Sequence, residues 1–175
     1  MRNDRWRIWG VPAAVAGGVV LLDQLSKAWV VNTLGPIPLT QFIPVLGDQV
    51  RIAYAHNTGI AFSMLQGHPE LLTGLAIVII TGALIFYATQ LPNHRPIVQL
   101  IMGLIVGGGL GNLIDRIRLG YVVDFISVGW FPIFNLADSA LTVGATLLIL
   151  LFLREELLAQ PADDDQPSQT PVRPQ

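Results

Sequence analysis

The stretch from Asp124 to Asp138 reads Asp-Phe-Ile-Ser-Val-Gly-Trp-Phe-Pro-Ile-Phe-Asn-Leu-Ala-Asp, with an aspartate at each end. Both carboxylates stand beside apolar runs, since Asp124 follows Tyr-Val-Val and Asp138 begins a long apolar segment. An ionisable group is costly in such surroundings, so its presence there indicates a function. We therefore interpret the two aspartates as a candidate pair at a membrane surface.

The overall composition is that of a membrane protein. Of 175 residues, 52% are hydrophobic and 13% are charged, and the mean hydropathy is +0.57, whereas soluble domains carry roughly 25% charge. The net charge of −2 is too small to suggest nucleic acid as a partner. The chain has no cysteine, which excludes disulfides, thiolate metal sites and a cysteine nucleophile. No motif indicates a cofactor, and we expect none.

Four apolar segments approach or exceed the roughly 18 to 20 residues that a helix needs to cross a bilayer. They cover residues 8–31, 71–91, 97–114 and 136–153. The positive-inside bias places both termini in the cytoplasm, because the segments on that side then hold six arginines and those on the other side hold three. The arginine-rich start could also be a signal peptide, but its apolar run is too long and no convincing cleavage site follows. The sequence therefore predicts a retained anchor.

Residues 32–70 and 115–135 would then lie outside the cytoplasm. Alternating side chains over 50–55 predict a short strand in a small sheet resting on the membrane, and 59–65 predicts a short interfacial helix that could act as a lid. Proline and acidic residues predict a disordered tail from residue 161, within a cytoplasmic end at 155–175. The expected fold is a mainly α, polytopic membrane protein with one domain over 1–154. It has four transmembrane helices, a small extracytoplasmic β-sheet and a short interfacial helix.

Polar side chains inside the predicted spans mark an inward face. Asp23 and Lys27 are four residues apart and can pair, either as a structural ion pair or in direct contact with a substrate. Asn112 and Arg116 have the same spacing at the outer end of the third span. Glycines at every fourth position over 103–111 predict close packing of that helix against its neighbours.

Several polar residues also have a structural interpretation. Asn135 is a favoured N-cap residue, and an acid at Asp138, three residues on, suits the helix dipole. His56 beside Asn57 could line a site, although an exposed loop histidine is the simpler interpretation. Two aspartates could hold a divalent cation, but hard cations usually take more oxygen ligands, and we expect no metal.

Two neighbouring carboxylates are suited to peptide hydrolysis, because like charges in proximity cannot both ionise easily. One carboxyl stays protonated and donates to a carbonyl oxygen, while the other takes a proton from water. The sequence does not determine which is which. A transporter with buried charges and a membrane scaffold are the alternatives. The acids other than Asp23 collect near one face and no internal repeat is present, which favours hydrolysis over transport.

Five blocks of sequence occur between residues 23 and 138. They read Asp-Gln-Leu-Ser-Lys at 23–27, Asn-Thr-Gly-Ile-Ala-Phe-Ser at 57–63, Gly-Asn-Leu-Ile-Asp-Arg at 111–116, Val-Val-Asp-Phe at 122–125 and Phe-Asn-Leu-Ala-Asp at 134–138. Together and in this order they resemble the lipoprotein signal peptidases, or signal peptidase II, a family of bacterial intramembrane aspartyl proteases.

The resemblance implies that Asp124 and Asp138 are a catalytic dyad. It implies further residues that line, brace or support the site, namely Asn57, Asn112, Arg116, Asn135, Asp23 and Lys27. The implied substrate is a prolipoprotein whose cysteine already carries diacylglycerol, cleaved just before that cysteine. The implied location is the bacterial cytoplasmic (inner) membrane, with both termini cytoplasmic and the site at the extracytoplasmic face. Besides this substrate and membrane lipid we expect no partner, no nucleic acid and a monomer.

Overall fold

The computed structural model describes residues 4–35, 37–59 and 69–159. The elements in chain order are α1 (Asp4–Leu34), β1 (Phe42–Leu46), β2 (Val50–Asn57), α2 (Pro69–Thr89), α3 (Pro96–Leu119), β3 (Val122–Val128) and α4 (Leu136–Ala159). The interfacial helix and lid predicted at 59–65, apart from Gly59, and the disordered tail predicted from residue 161 lie outside the described residues.

The four helices are each long and apolar enough to cross a membrane, which confirms the mainly α fold with four transmembrane helices. The helix α3 is central, because it packs against α1, α2 and α4. In the most apolar stretch of α3, 56% of the residues are buried inside the protein, compared with 11–17% in the corresponding stretches of the other three helices. Most of the surface of α1, α2 and α4 therefore remains available to lipid. At its end α3 continues to Leu119, past the predicted limit at 114, and stops at Gly120 in a left-handed conformation.

Glycines on α3 allow the neighbouring helices to approach closely. A Cβ at Gly107 would lie 2.9 Å from the Ala16 Cα of α1. A Cβ at Gly111 would lie 2.7 Å from the Asp23 Oδ2 of α1 and 2.9 Å from the Ala137 Cβ of α4. The predicted packing role of these glycines is confirmed, and Gly111 lies where α1, α3 and α4 meet.

The three strands form an antiparallel sheet in the order β1-β2-β3. The small sheet and its strand at 50–55 were predicted, but β1 and β3 were not. The sheet packs on the last turns of α1, where Val30 and Leu34 form an apolar cluster with Tyr54, Val123 and Phe125. This cluster fixes β3 beside the helix ends.

Candidate active site

Asp124 lies on β3 and is 2% exposed. It pairs with Ala55 of β2, and the register between the strands shifts between Ile52 and Ala55. Such bulges re-aim side chains and recur next to active sites. Asn57 lies on the same face of β2 as Ala55, and its Nδ2 donates to Asp124 Oδ2 at 2.8 Å. The other carboxylate oxygen accepts from the Nδ2 of Asn135 at 2.7 Å.

Asp138 lies in the first turn of α4. Its Oδ1 accepts a hydrogen bond from the Nδ2 of Asn112 on α3 at 2.7 Å. Its Oδ2 accepts from the backbone N–H of Asn135 at 3.2 Å, while the Asn135 Oδ1 accepts from the backbone N–H of Asp138 at 2.8 Å. This reciprocal pair is a capping box, so the capping interpretation is confirmed. Capping does not account for every contact of Asp138, however, because its Oδ1 also accepts the hydrogen bond from Asn112 on α3.

The chain between the two aspartates folds back on itself. It turns at Gly129, whose φ of +51° lies in the region that favours glycine. The backbone N–H of Ile126 then donates to the Phe134 carbonyl at 2.7 Å, and the N–H of Phe134 donates to the Ile126 carbonyl at 3.1 Å. This pairing places Asn135 beside Asp124 and starts α4 at the next residue.

Asn135 serves both aspartates and is fully buried. Its Oδ1 caps α4, and its Nδ2 lies within hydrogen-bond distance of Asp124 Oδ1, of the Asn112 Oδ1 at 3.0 Å and of the Val123 carbonyl at 3.3 Å. Because Asn112 in turn donates to Asp138, two asparagine amides join the two carboxylates. The sequence offered a cap or a site residue as alternatives, and Asn135 makes the contacts of both.

A cluster of buried charges lies behind the asparagines. The Nζ of Lys27 lies 2.7 Å from Asp23 Oδ2 and 2.9 Å from Asp115 Oδ2, and it donates to Asn112 Oδ1 at 3.2 Å. The pairing of Asp23 with Lys27 predicted from their spacing is confirmed. Lys27 contacts the two aspartates of the candidate site only through Asn112 in the described hydrogen bonds.

A cavity of about 250 Å³ opens between α2, α3 and α4. Its wall is apolar except for Asn112, Arg116 and Asp138. Arg116 is half-buried and follows Asn112 by one helical turn, on the same face. The Asp138 carboxylate therefore borders an apolar space that can receive a hydrophobic segment or an acyl chain.

A sequence model of the family described as Signal peptidase (SPase) II matches residues 15–154. The chain belongs to this family. It is 42% identical over 138 residues to the lipoprotein signal peptidase of Halothermothrix orenii, covering 79% of this chain and 92% of the relative. It is 46% identical over 141 residues to that of Dehalococcoides mccartyi, covering 77% and 83%. The family resemblance inferred from the five sequence blocks is thus confirmed.

Two solved structures of bacterial membrane enzymes have a similar fold. The chain is similar to a bacterial membrane enzyme determined by the in meso method at 2.3 Å resolution, with 31% identity and a TM-score of 0.78, covering 89% of this chain and 95% of that one. A second such structure, at 1.9 Å resolution, has 33% identity and a TM-score of 0.73, with coverage of 83% and 94%. This member of the signal peptidase II family is a multi-pass membrane protein and a protease.

In this signal peptidase the surroundings of Asp124 raise its pKa to about 7. Burial is the largest cause, and the negative charge of Asp138 is the next. Hydrogen bonds from Asn57 and Asn135 and the charge of Lys27 act in the opposite direction. Asp124 therefore retains a proton up to near-neutral pH.

From the sequence, neither Asp115 nor Gln24 was assigned to the candidate site. Asp115 accepts from the Nε2 of Gln24 at 2.9 Å and from the backbone N–H of Val123 at 3.0 Å. The available signal was position, since Asp115 follows Asn112 by three residues and shares its helix face. Gln24 stands next to Asp23 in the first sequence block but gave no signal of its own.

Two alternatives raised by the sequence can be compared with the geometry. His56 is exposed and lies on the face of β2 opposite Asn57, where its Nε2 is 2.6 Å from the hydroxyl of Tyr54 and its ring stacks on Tyr121. It points away from Asp124. Within residues 4–35, 37–59 and 69–159, no group of three or more His, Cys, Asp or Glu side chains could hold a metal ion.

Proposed function

We propose that this signal peptidase removes signal peptides from diacylglyceryl-modified prolipoproteins, cleaving just before the lipidated cysteine, with Asp124 and Asp138 as the catalytic dyad. One observation supports this most directly. Two carboxylates from a strand and a helix are joined by the amides of Asn112 and Asn135, and Asp138 borders an apolar cavity. Its relatives are lipoprotein signal peptidases.

In the proposed mechanism Asp124 is the general acid and Asp138 the general base. Asp124 donates its proton to the scissile carbonyl oxygen, while the Asp138 carboxylate takes a proton from water and the water oxygen attacks the carbonyl carbon. The tetrahedral diol then collapses as the C–N bond breaks. Asp138 gives its proton to the leaving nitrogen, and Asp124 recovers a proton from the diol hydroxyl. The raised pKa of Asp124 supports this division of roles.

The membrane placement fits such a substrate. We place both termini in the cytoplasm and the dyad at the extracytoplasmic face of the bacterial inner membrane, on the evidence of the arginine distribution. Asp138 in the first turn of α4 and Arg116 in the last turn of α3 lie at the same end of the helix bundle, next to the sheet. A diacylglyceryl anchor would hold the scissile bond at this depth. A single domain over residues 1–154 would carry the activity.

The experiment is cleavage of a diacylglyceryl-modified prolipoprotein by the purified protein in micelles, at equal folded amounts. Asp124→Asn and Asp138→Asn keep the size of each side chain and an accepting oxygen, so the cap of α4 can still form. We expect each to lower kcat by roughly 10²- to 10⁴-fold or more. The matched control is Asp48→Asn, at an exposed position in the turn between β1 and β2, which should cut like the wild type. If either dyad variant cuts normally, that residue is not catalytic and Asp115 is the next candidate.

A second arm tests the substrate class. The same prolipoprotein without its diacylglyceryl group should remain uncut under identical conditions. Equal cleavage of both forms would refute the requirement for lipid while leaving the aspartyl mechanism intact.

A further inference from the structure

The buried charges behind the dyad have contacts that the proposed chemistry does not use. Asp23, Lys27 and Asp115 are at most 3% exposed and form one ion cluster. None of the three donates to or accepts from Asp124 or Asp138 in the described hydrogen bonds. Burying two carboxylates and one ammonium is unfavourable unless each is fully paired, so the cluster calls for an explanation.

Each carboxylate of the cluster also accepts one backbone hydrogen bond from another element of the fold. Asp115 Oδ2 accepts from the N–H of Val123 at 3.0 Å. Asp23 Oδ1 accepts from the N–H of Ala137 at 3.0 Å. Val123 and Ala137 are the residues immediately before Asp124 and Asp138, respectively. The two halves of the dyad are therefore held at equivalent points of the backbone.

We propose that Asp23 and Asp115 are positioning residues, joined by Lys27, that set the separation and orientation of the Asp124 and Asp138 side chains. The inference rests on the proposed dyad. One carboxylate fixes the backbone of β3, the other fixes the first turn of α4, and Lys27 fixes the two carboxylates relative to each other.

The contacts of Lys27 leave little freedom in this arrangement. An ammonium has three N–H donors, and its three partners are the carboxylates of Asp23 and Asp115 and the Oδ1 of Asn112. Asn112 in turn donates to Asp138. A shift of Lys27 would therefore break buried polar contacts on α1 and α3 at once, and such contacts are costly to leave unmade.

Neighbouring residues hold the two carboxylates in place. The Nε2 of Gln24 donates to Asp115 Oδ1 at 2.9 Å and to the Gly111 carbonyl at 3.2 Å. Gly111 also leaves the space that the Asp23 carboxylate occupies, since a Cβ there would lie 2.7 Å from its Oδ2. The absent side chain thus allows a carboxylate of α1 to pass α3 and reach the backbone of α4.

Two conservative changes of Asp115 distinguish the placement of its accepting oxygen from the charge of its carboxylate. Asp115→Asn removes the charge but keeps the side-chain length and an oxygen that can accept from Val123. Asp115→Glu keeps the charge and can still pair with Lys27, but its extra methylene moves the accepting oxygen by about one C–C bond length. A role in charge alone predicts that Glu is the better replacement. A positioning role predicts that Asn is the better replacement.

The measurement is kcat and KM on the lipidated substrate, at equal folded amounts. We expect Asp115→Glu to lower kcat by roughly 10²-fold, the effect of a misplacement of about 1 Å, with KM within about threefold of the wild type. Asp115→Asn should keep kcat within about tenfold. The inference is overturned if Asp115→Glu matches the wild type or if Asp115→Asn is no faster than Asp115→Glu.

A second position guards against variants that do not fold. If a change at Asp115 prevents folding, the Asn and Glu variants of Asp23, which holds Ala137, give the same comparison. If the Asn variants of both positions fail to fold, the charges serve the fold itself and the inference is wrong. Asp124→Asn and Asp138→Asn belong in the same series, because activity in either would refute the dyad whatever position 115 shows.

Discussion

Replacing Asn135 by serine should separate the two tasks of that side chain. Serine is also a favoured N-cap residue, so the start of α4 keeps a side-chain oxygen for the backbone N–H of Asp138. It has no amide nitrogen, however, so Asp124 loses the hydrogen bond that Asn135 donates at 2.7 Å. The donor from Asn57 remains.

The size of the effect follows from the surroundings of Asp124. Its pKa is about 7, and the hydrogen bond from Asn135 is among the interactions that hold it down. A hydrogen bond to a charged group contributes roughly 1.5–3 kcal/mol, and one pKa unit corresponds to about 1.4 kcal/mol. Because the lost donor stabilises the ionised carboxylate, Asn135→Ser should raise the pKa of Asp124 by roughly 1–2 units, to about 8–9.

The consequence is a change in the pH profile of cleavage. If Asp124 acts as the general acid, activity falls as it deprotonates, so the alkaline limb of kcat/KM should lie near pH 7 in the wild type. In Asn135→Ser that limb should move to about pH 8–9, while the maximal rate falls because the carboxylate is held less firmly. The assay is kcat/KM of micellar enzyme on lipidated substrate between pH 5 and about 10.

The matched control is Asn135→Ala, which removes the cap as well as the amide. It should show the same shift of the alkaline limb, together with a free energy of unfolding lower than that of Asn135→Ser by about 0.5–2 kcal/mol. An alkaline limb that stays in place or moves to lower pH in Asn135→Ser would refute the role of Asp124 as the acid. Equal unfolding free energies of the two variants would refute the separation of cap and site.

Two further predictions concern packing and surface charge. Gly111→Ala should lower the free energy of unfolding by about 1–3 kcal/mol and impair cleavage, because its Cβ would lie 2.7 Å from Asp23 Oδ2. The control is Gly82→Ala, where a Cβ meets nothing within 4 Å, and this change should be neutral or stabilising by up to about 1 kcal/mol. Thermal unfolding in micelles distinguishes the two variants. Glu155→Gln removes the ion pair with Arg95, in which the Glu155 side chain is 42% exposed and that of Arg95 is 48% exposed. This change should alter the free energy of unfolding by less than about 1 kcal/mol and leave cleavage unchanged.

Much of the fold could be predicted from the sequence because lipid imposes long apolar segments. The ends of the helices were predicted less well, since α3 was predicted to end at 114 and ends at Leu119, and α4 was predicted to end at 153 and ends at Ala159. Asp115 and Arg116 end the apolar run, but Asp115 is buried in protein and Arg116 lines a cavity, so neither faces lipid. Hydropathy measures what a bilayer tolerates and does not register where protein covers a charge.

The strand β3 was missed for a related reason. Residues 122–125 are buried on both faces of the strand, so the alternation that predicted β2 is absent. The aspartates themselves were predictable, since each is an ionisable group in an apolar context. The hydrogen bonds from the Val123 N–H to Asp115 and from the Ala137 N–H to Asp23 could not be predicted. Backbone N–H groups left free by a strand or by the start of a helix have no sequence signature.

The two aspartates of the proposed acid–base pair stand on different kinds of element, which gives them unequal surroundings. Asp138 stands at the N-terminus of α4, where the helix dipole and the Asn135 N–H favour negative charge. Asp124 stands on a strand, where no such helix dipole acts on its carboxyl. The Asn135 side chain contacts both aspartates, so any movement that separates α4 from β3 would break its hydrogen bond to Asp124 or its cap on the Asp138 N–H. In the proposed dyad, one carboxylate on each kind of element gives identical side chains different surroundings, and the geometry of the pair depends on the contacts between those elements.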